Sequence, residues 1–202
     1  MKTLRVSASD LDAFRYFMDR EDGDLPSLLA QLRRELPATP AMLAGTALHT
    51  ALENAQIGVV EALEADGYRF IIEAEADLEL PDIREMKVTD ERQIRDTMVT
   101  LVGKVDGANG RTILDHKLTQ RFDPERFLNS YQWRVYLDLF DADLFEWIVY
   151  EAKPFGPDDR EITIKDVHRL TAHRYPGMTS DLDRELAGFV DFAKTHLMKE
   201  EA

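Results

Sequence analysis

Thr97–Lys117 reads T-M-V-T-L-V-G-K-V-D-G-A-N-G-R-T-I-L-D-H-K, and its pattern predicts two strands, Thr97–Asp106 and Arg111–Lys117, joined through A-N-G. Asparagine followed by glycine tolerates the positive φ angles that tight hairpin turns require. Strand-forming apolar residues surround the charged ones, and a charge embedded near a core needs a partner or a metal ion. The hairpin places Asp106 and Asp115 on neighbouring strands. Asp115 and Lys117 are two residues apart, so they project from one face and bring an acid and an amine into one site. His116 points the opposite way in a regular strand, which leaves its backbone carbonyl as its route to that site.

Outward from the hairpin, the chain alternates between helical and strand-like patterns. Residues 7–36 read as helical, with Ser7 or Ser9 as N-cap and an interruption at Asp22–Pro26. A second helix is expected from Thr39 or Pro40 to Ala65, since Leu48, Leu52, Val59 and Leu63 recur at helical intervals and Gly67 follows. Tyr68 to Leu80 alternates apolar and acidic residues as a half-buried strand does, Pro81 ends it, and an acidic connection leads to the hairpin. Beyond the hairpin, Pro124–Phe140 reads as an amphipathic helix and Leu144–Ala152 as a strand. Glu161–Leu170 reads as an edge strand, and Leu182, Leu186, Phe189, Val190 and Leu197 mark a terminal helix.

A chain of 202 residues with 44% hydrophobic content suits one sizeable core, so a single domain over residues 1–202 is expected. The absence of cysteine excludes disulfides, thiolate zinc sites and iron–sulfur ligation. Asp, Glu and His remain as metal ligands, which favours hard cations such as Mg²⁺ or Mn²⁺. The amino-terminal M-K-T-L-R-V-S-A-S-D-L-D lacks the apolar run of a signal peptide, and no stretch is suited to span a bilayer, so a cytoplasmic protein without a membrane partner is expected. A formal charge of −14 speaks against a nucleic-acid ligand. Its distribution softens that objection, because residues 100–136 hold six basic residues (Lys104, Arg111, Lys117, Arg121, Arg126 and Arg134) against four acidic ones. Such a strip on an acidic body can hold phosphates once metal neutralises the paired carboxylates.

Two carboxylates can hold a divalent ion against a scissile phosphate, while a nearby ammonium positions water and stabilises developing negative charge. An aspartate pair also fits glycoside hydrolysis, where Lys117 has no evident role. The hairpin resembles the PD-(D/E)xK nuclease superfamily, and within it the RecB-like branch. Asp106 stands at the first acidic position, D-H-K at Asp115–Lys117 matches the acid-x-lysine element, and G-K-V-D at Gly103–Asp106 matches the glycine before the first acid. Val105 replaces the proline often found there. G-T-A-L-H, Gly45–His49, resembles the upstream histidine helix, and Q-W-R-V-Y, Gln132–Tyr136, the downstream glutamine–tyrosine helix. The likeness also reaches S-A-S-D-L-D-A-F near the amino terminus.

The resemblance implies an α/β fold: a restriction-endonuclease-like mixed central sheet flanked by helices. It implies that His49, Asp106, Asp115 and the His116 carbonyl hold one or two Mg²⁺ or Mn²⁺ ions, that Lys117 positions the attacking water, and that Gln132 and Tyr136 support the site or the strand. The implied substrate is DNA with a free end, cut by an exonuclease of recombination, repair or phage DNA processing. No G-x-x-x-x-G-K-[ST] loop is present, so unwinding would come from a helicase or recombination partner. Oligomeric state is left open. The alternative from another class is a catalytically weak nucleic-acid-binding or complex-assembly module that retains the nuclease fold; a third is a hydrolase of another phosphate ester.

Each residue also has a plainer reading. His49 can pair with Glu53 one turn on, and Asp106, Asp115 and Lys117 can be solvated charges. Gln132 and Tyr136, four apart on one helix face, can serve packing. Glu73 and Glu75 fit either a metal contact or a solvated strand face. Arg111, Arg121, Arg126 and Arg134 are candidates for phosphate contacts, with Arg121 and Arg126 foremost; their plainer role is pairing with Asp123 and Glu125. His168, His173 and His196 lack comparable support.

Overall fold

The computed structural model describes residues 2–56, 58–59, 61–74, 77–78, 80–81 and 83–198. In chain order the elements are β1 (Lys2–Ser7), α1 (Ala8–Met18), α2 (Leu25–Leu32), α3 (Pro40–Asn54), β2 (Gly58–Val59), β3 (Ala62–Ala65), β4 (Tyr68–Ile72), β5 (Asp77–Leu78) and β6 (Ile83–Ile94). There follow β7 (Thr97–Asn109), β8 (Thr112–Thr119), α4 (Pro124–Leu128), α5 (Gln132–Leu139), β9 (Leu144–Ala152), β10 (Glu161–His173) and α6 (Met178–His196). The fold is mixed α/β. Its central eight-stranded sheet runs β1-β7-β8-β9-β10-β4-β3, with β6 also paired to β7.

Side-chain alternation along β9 explains how helices come to cover both faces. Phe145, Trp147 and Val149 point into a core shared with Leu11 and Phe14 of α1, Leu137 of α5 and Phe189 of α6. Ile148, Tyr150 and Ala152 point the other way, onto Ala44, Leu48 and Leu52 of α3. A strand covered on both faces reads as a nearly continuous apolar run, as L-F-E-W-I-V-Y-E-A does. Each such large side chain contributes about 1.5–3 kcal/mol by leaving water. Among the described residues no helix is long and apolar enough to cross a membrane.

Several elements depart from the sequence reading. Helix α3 ends at Asn54 rather than Ala65, and β3 turns into β4 through Asp66 and Gly67, at φ 51° and 77°. Two successive positive φ angles make this a hairpin turn matched to strand twist, so Asp66-Gly67 is a hairpin signal and not a helix stop. Strand β4 stops at Ile72; Glu75 lies outside the described residues, and Glu73 pairs with Lys153, 2.7 Å away. The acidic connection before the hairpin is largely β6, antiparallel to β7 over nearly its whole length. Its charges occupy both faces, which hides the period of two; Arg92 ties it to Asp138 of α5 and Asp183 of α6. Strand β1, also unforeseen, lies parallel to Thr97–Val102. The β7–β8 turn comes one residue late, since Asn109 pairs with Thr112 and Gly110 alone has positive φ, 57°. The helix expected over Pro124–Phe140 is interrupted at 129–131. The strand expected at an edge over Glu161–Leu170 lies inside the sheet, since β10 pairs with β4 at residues 161–164 and with β9 from Ile164 onward.

Candidate active site

The site sits where one flank of β7 changes partner. Strand β6 occupies the other flank nearly throughout, whereas this flank is divided between β1, at residues 97–102, and β8, at residues 107–109. Residues 103–106 fall between the two. Strand β8 pairs with β7 through only three residue pairs before following β9 instead, from Thr112 to Thr119. Past Leu114 the hairpin is therefore splayed. The His116 amide donates to Asp106 Oδ2 at 2.7 Å, so a carboxylate takes the place of strand pairing where the strands part.

His49 and Asp106 meet across this gap. His49 Nδ1 lies 2.9 Å from Asp106 Oδ1, which puts the ring proton on Nδ1 because a charged carboxylate only accepts. Burial opposes the charge on Asp106. The His49 bond and charge, the Lys117 charge and the His116 amide outweigh it and hold the acid below the usual carboxylate range. Glu53, the simpler partner proposed for His49, instead lines a small cavity of about 10 Å³ with His49, Asp106, Arg84 and Glu85. That volume suits a single water or small ion.

Asp115 sits deeper, at 3% exposure. Gln132 Nε2 donates to its Oδ1 at 3.1 Å, and Lys117 Nζ lies 2.6 Å from its Oδ2. The lysine ammonium is thus the partner of Oδ2, and among the described residues no other group meets that oxygen. Burial pushes the Asp115 carboxyl up, Lys117 offsets part of that, and the charge on Asp106 adds to the rise. Two neighbouring acids are thus driven in opposite directions, a pattern typical of reacting sites. Tyr136 packs on Phe145 at 5.9 Å between ring centroids, and burial followed by the Asp115 charge raises its phenol, which keeps it a donor. The glycine of G-K-V-D has a steric reason: a Cβ at Gly103 would come within 3.1 Å of the Tyr136 ring and 2.8 Å of Leu139 Cδ1.

The donor set fits a hard divalent ion. Two carboxylates and an imidazole border the splayed hairpin, and an ion-sized space adjoins His49 and Asp106. The donor atoms of these three residues do not all lie within 4.8 Å of one another. The group that does, among the described residues, is Glu151, Asp166 and His168. There the charge is already balanced, with His168 Nε2 at 2.8 Å and Lys165 Nζ at 3.1 Å from Glu151. Its evident role is to hold the loop after β8: Glu151 accepts the Phe122 amide at 3.2 Å, and His168 stacks on the Phe122 ring at 4.1 Å.

The candidate phosphate contacts separate into two kinds. Arg111 is taken up by Asp141 and Asp143, and Arg134 donates to Ser130 O at 2.7 Å while stacking on Trp133. Arg121 and Arg126 line one open groove of about 520 Å³ with Leu118, Thr119 and Phe155, one residue beyond Lys117. Among the described residues neither guanidinium has a hydrogen-bond or ion-pair partner. Asp123, which the plainer reading paired with them, caps α4 by accepting the Glu125 amide at 3.2 Å.

The sequence reading missed two contributors. The His116 amide carries no residue-specific signal, since any residue there has one. Asp12 lies in the amino-terminal motif but is 119 residues from Tyr131, whose amide it accepts. The His116 side chain itself is buried against Tyr150, and burial lowers its pKa to about 4, so it is neutral at ordinary pH.

No family model matches the chain, and no curated protein matches its sequence. Among solved structures the fold is similar to that titled crystal structure of SSO0001, with TM-score 0.51, 13% identity, and 95% of this chain aligned to 77% of that one. A weaker likeness is to the alkaline exonuclease LHK-Exo from Laribacter hongkongensis, described also in complex with dAMP, at TM-score 0.46 and 13% identity over 94% of this chain and 88% of that one. At such identities the likeness is one of fold: a mixed sheet with helices on both faces.

Proposed function

We propose that the chain is a single-domain, divalent-metal-dependent DNA nuclease, acting from a free end. The observation that carries this reading is the buried Asp115: one oxygen is held by Gln132, the other is met by Lys117 at 2.6 Å, and a second acid, Asp106, acts on it through the same field. A solvated acid would have neither the burial nor the company. His49, Asp106, Asp115 and the His116 carbonyl would hold Mg²⁺ or Mn²⁺, which supplies Lewis-acid charge at the scissile phosphate. Lys117, 30% exposed beside a fully buried carboxylate, is placed to orient water and to stabilise charge on the phosphate. Gln132 keeps Asp115 from turning, and Tyr136 backs Gln132. Arg121 and Arg126 would hold the strand by its phosphates.

The test is incubation of linear and circular DNA with Mn²⁺, with Mg²⁺ and with EDTA. Loss of linear DNA alone, stopped by chelator and restored by either ion, is the expected result. Cutting of circles would replace an exonuclease by an endonuclease, and full activity in EDTA would reject the metal role. Retention of DNA without cleavage would instead favour the weakly catalytic binding module.

A further inference from the structure

We propose that Asp12, on α1, is a positioning residue for this site: it caps α5 from outside that helix and thereby fixes the Gln132 amide on Asp115. The inference rests on the reading of Asp115 as part of the reacting centre. The first amides of a helix have no partners within it and need acceptors from elsewhere. The N-cap residue of α5 is Tyr131, which makes no side-chain cap of its own. Asp12 Oδ1 accepts the Tyr131 amide at 2.5 Å. Gln132, the next residue, is the first of α5 and the one whose side chain reaches Asp115 Oδ1, at 3.1 Å. The contact that orients Asp115 thus hangs on the helical turn most prone to fray, and Asp12 holds that turn.

Three further observations separate this role from ordinary capping. Burial raises the Asp12 carboxyl to about 6 against the opposing pull of the Tyr131 amide, Lys117, the Gln132 amide and Arg134, so its place is not one that stability alone favours. Lys117, the cation beside Asp115, also acts on Asp12, so the lysine lies within the field of both acids. Asp12 also borders an open groove of about 420 Å³ that shares Arg126 with the groove along Arg121. Helix α1 is thereby tied to both the carboxylate and the proposed path of the strand.

The experiment compares Asp12→Ala, Asp12→Asn, Gln132→Ala and the Asp12→Ala/Gln132→Ala double variant of the full chain, cutting linear duplex DNA in Mn²⁺. Asp12→Ala is expected to lower kcat by about tenfold with KM about unchanged, while Asp12→Asn, which keeps an acceptor oxygen, recovers most of the loss. In the Gln132→Ala background the further loss should be under about twofold, because both changes break one linkage. The side-chain amide resonance of Gln132, read by NMR without DNA, should move in Asp12→Ala and stay in Asp12→Asn. Should Asp12→Ala fold poorly, Asp12→Leu, larger and without an acceptor, takes its place. Additive losses, or an unmoved Gln132 resonance, would overturn the proposal. A wild-type chain that cuts nothing would remove the nuclease reading, and the resonance would still decide the role of Asp12.

Discussion

Asp115 combines two features that a stable fold disfavours, near-complete burial and a second carboxylate, Asp106, close enough to oppose its charge. Burial raises its proton affinity, so removing the charge relieves the fold as it disables the site. Asp115→Asn is therefore expected to keep or raise Tm while reducing cleavage on the order of a hundredfold or more. Lys117→Ala should lose cleavage to a similar extent, with a modest change in Tm, because Asp115 can take up a proton once its cation is gone. Cleavage rate and thermal unfolding measured on the same preparations check both; near-normal cutting by either variant would remove it from the site. Asp106, Asp115 and Lys117 are suggested by residue type and spacing, whereas His49, Gln132 and Tyr136 are suggested by the resemblance of their motifs; the structure places the six around one splayed hairpin. Asp12 and the His116 amide were not legible, since a cap from a distant helix and a backbone donor leave no local pattern.

At the level of elements, the site depends on how β7 meets its neighbours and on how closely α5 lies against it. Gly103 sits under α5, and its hydrogen leaves room that a methyl group would take from Tyr136 and Leu139. Leu139 can swing aside, whereas the packed Tyr136 ring has less freedom. Gly103→Ala should cost about 1–3 kcal/mol and lower kcat by displacing Gln132, as read from denaturant unfolding alongside cleavage. The loop after β8 has its own anchor in Glu151. His168 first, then Lys165 and the Phe122 amide, hold this carboxyl down to about 2 against the rise that burial causes. A carboxyl with a depressed folded pKa contributes stability that is present above its unfolded value, near 4.5, and is lost as pH falls toward 2. The stability difference between wild type and Glu151→Gln should accordingly shrink across that window; a constant difference from pH 6 to 2.5 would dismiss the linkage. Strands β1 and β6 show why element prediction failed here. The first has only Leu4 and Val6 as its alternating signal, and the second carries charge on both faces, with Arg92 paired to Asp138 and Asp183 far along the chain and Glu85 to Lys104 on the neighbouring strand.

Across the whole molecule, 39 acidic residues face 25 basic ones, so a nucleic-acid partner must be met by a small set of cations left uncommitted. Arg121 and Arg126 are such cations, side by side in a groove next to Lys117. In an Asp115→Asn background with Ca²⁺, DNA affinity should fall steeply with salt, and each arginine that contacts a phosphate should account for a slope of about 0.9 in log affinity against log salt. Arg121→Ala/Arg126→Ala should flatten that slope by up to roughly twice as much, and an unchanged slope would take the groove out of the docking surface. The β7–β8 hairpin, the helical character of α1, α5 and α6, strand β9 and the types of metal donor that the chain can offer follow from local information: periodicity, turn residues and composition. Partnerships across the chain do not. That β8 leaves β7 after three pairs, that Asp106 captures an amide where the strands part, and that Asp12 reaches α5 are settled only when distant segments pack, because each depends on which neighbour is close enough to compete for the same hydrogen bond.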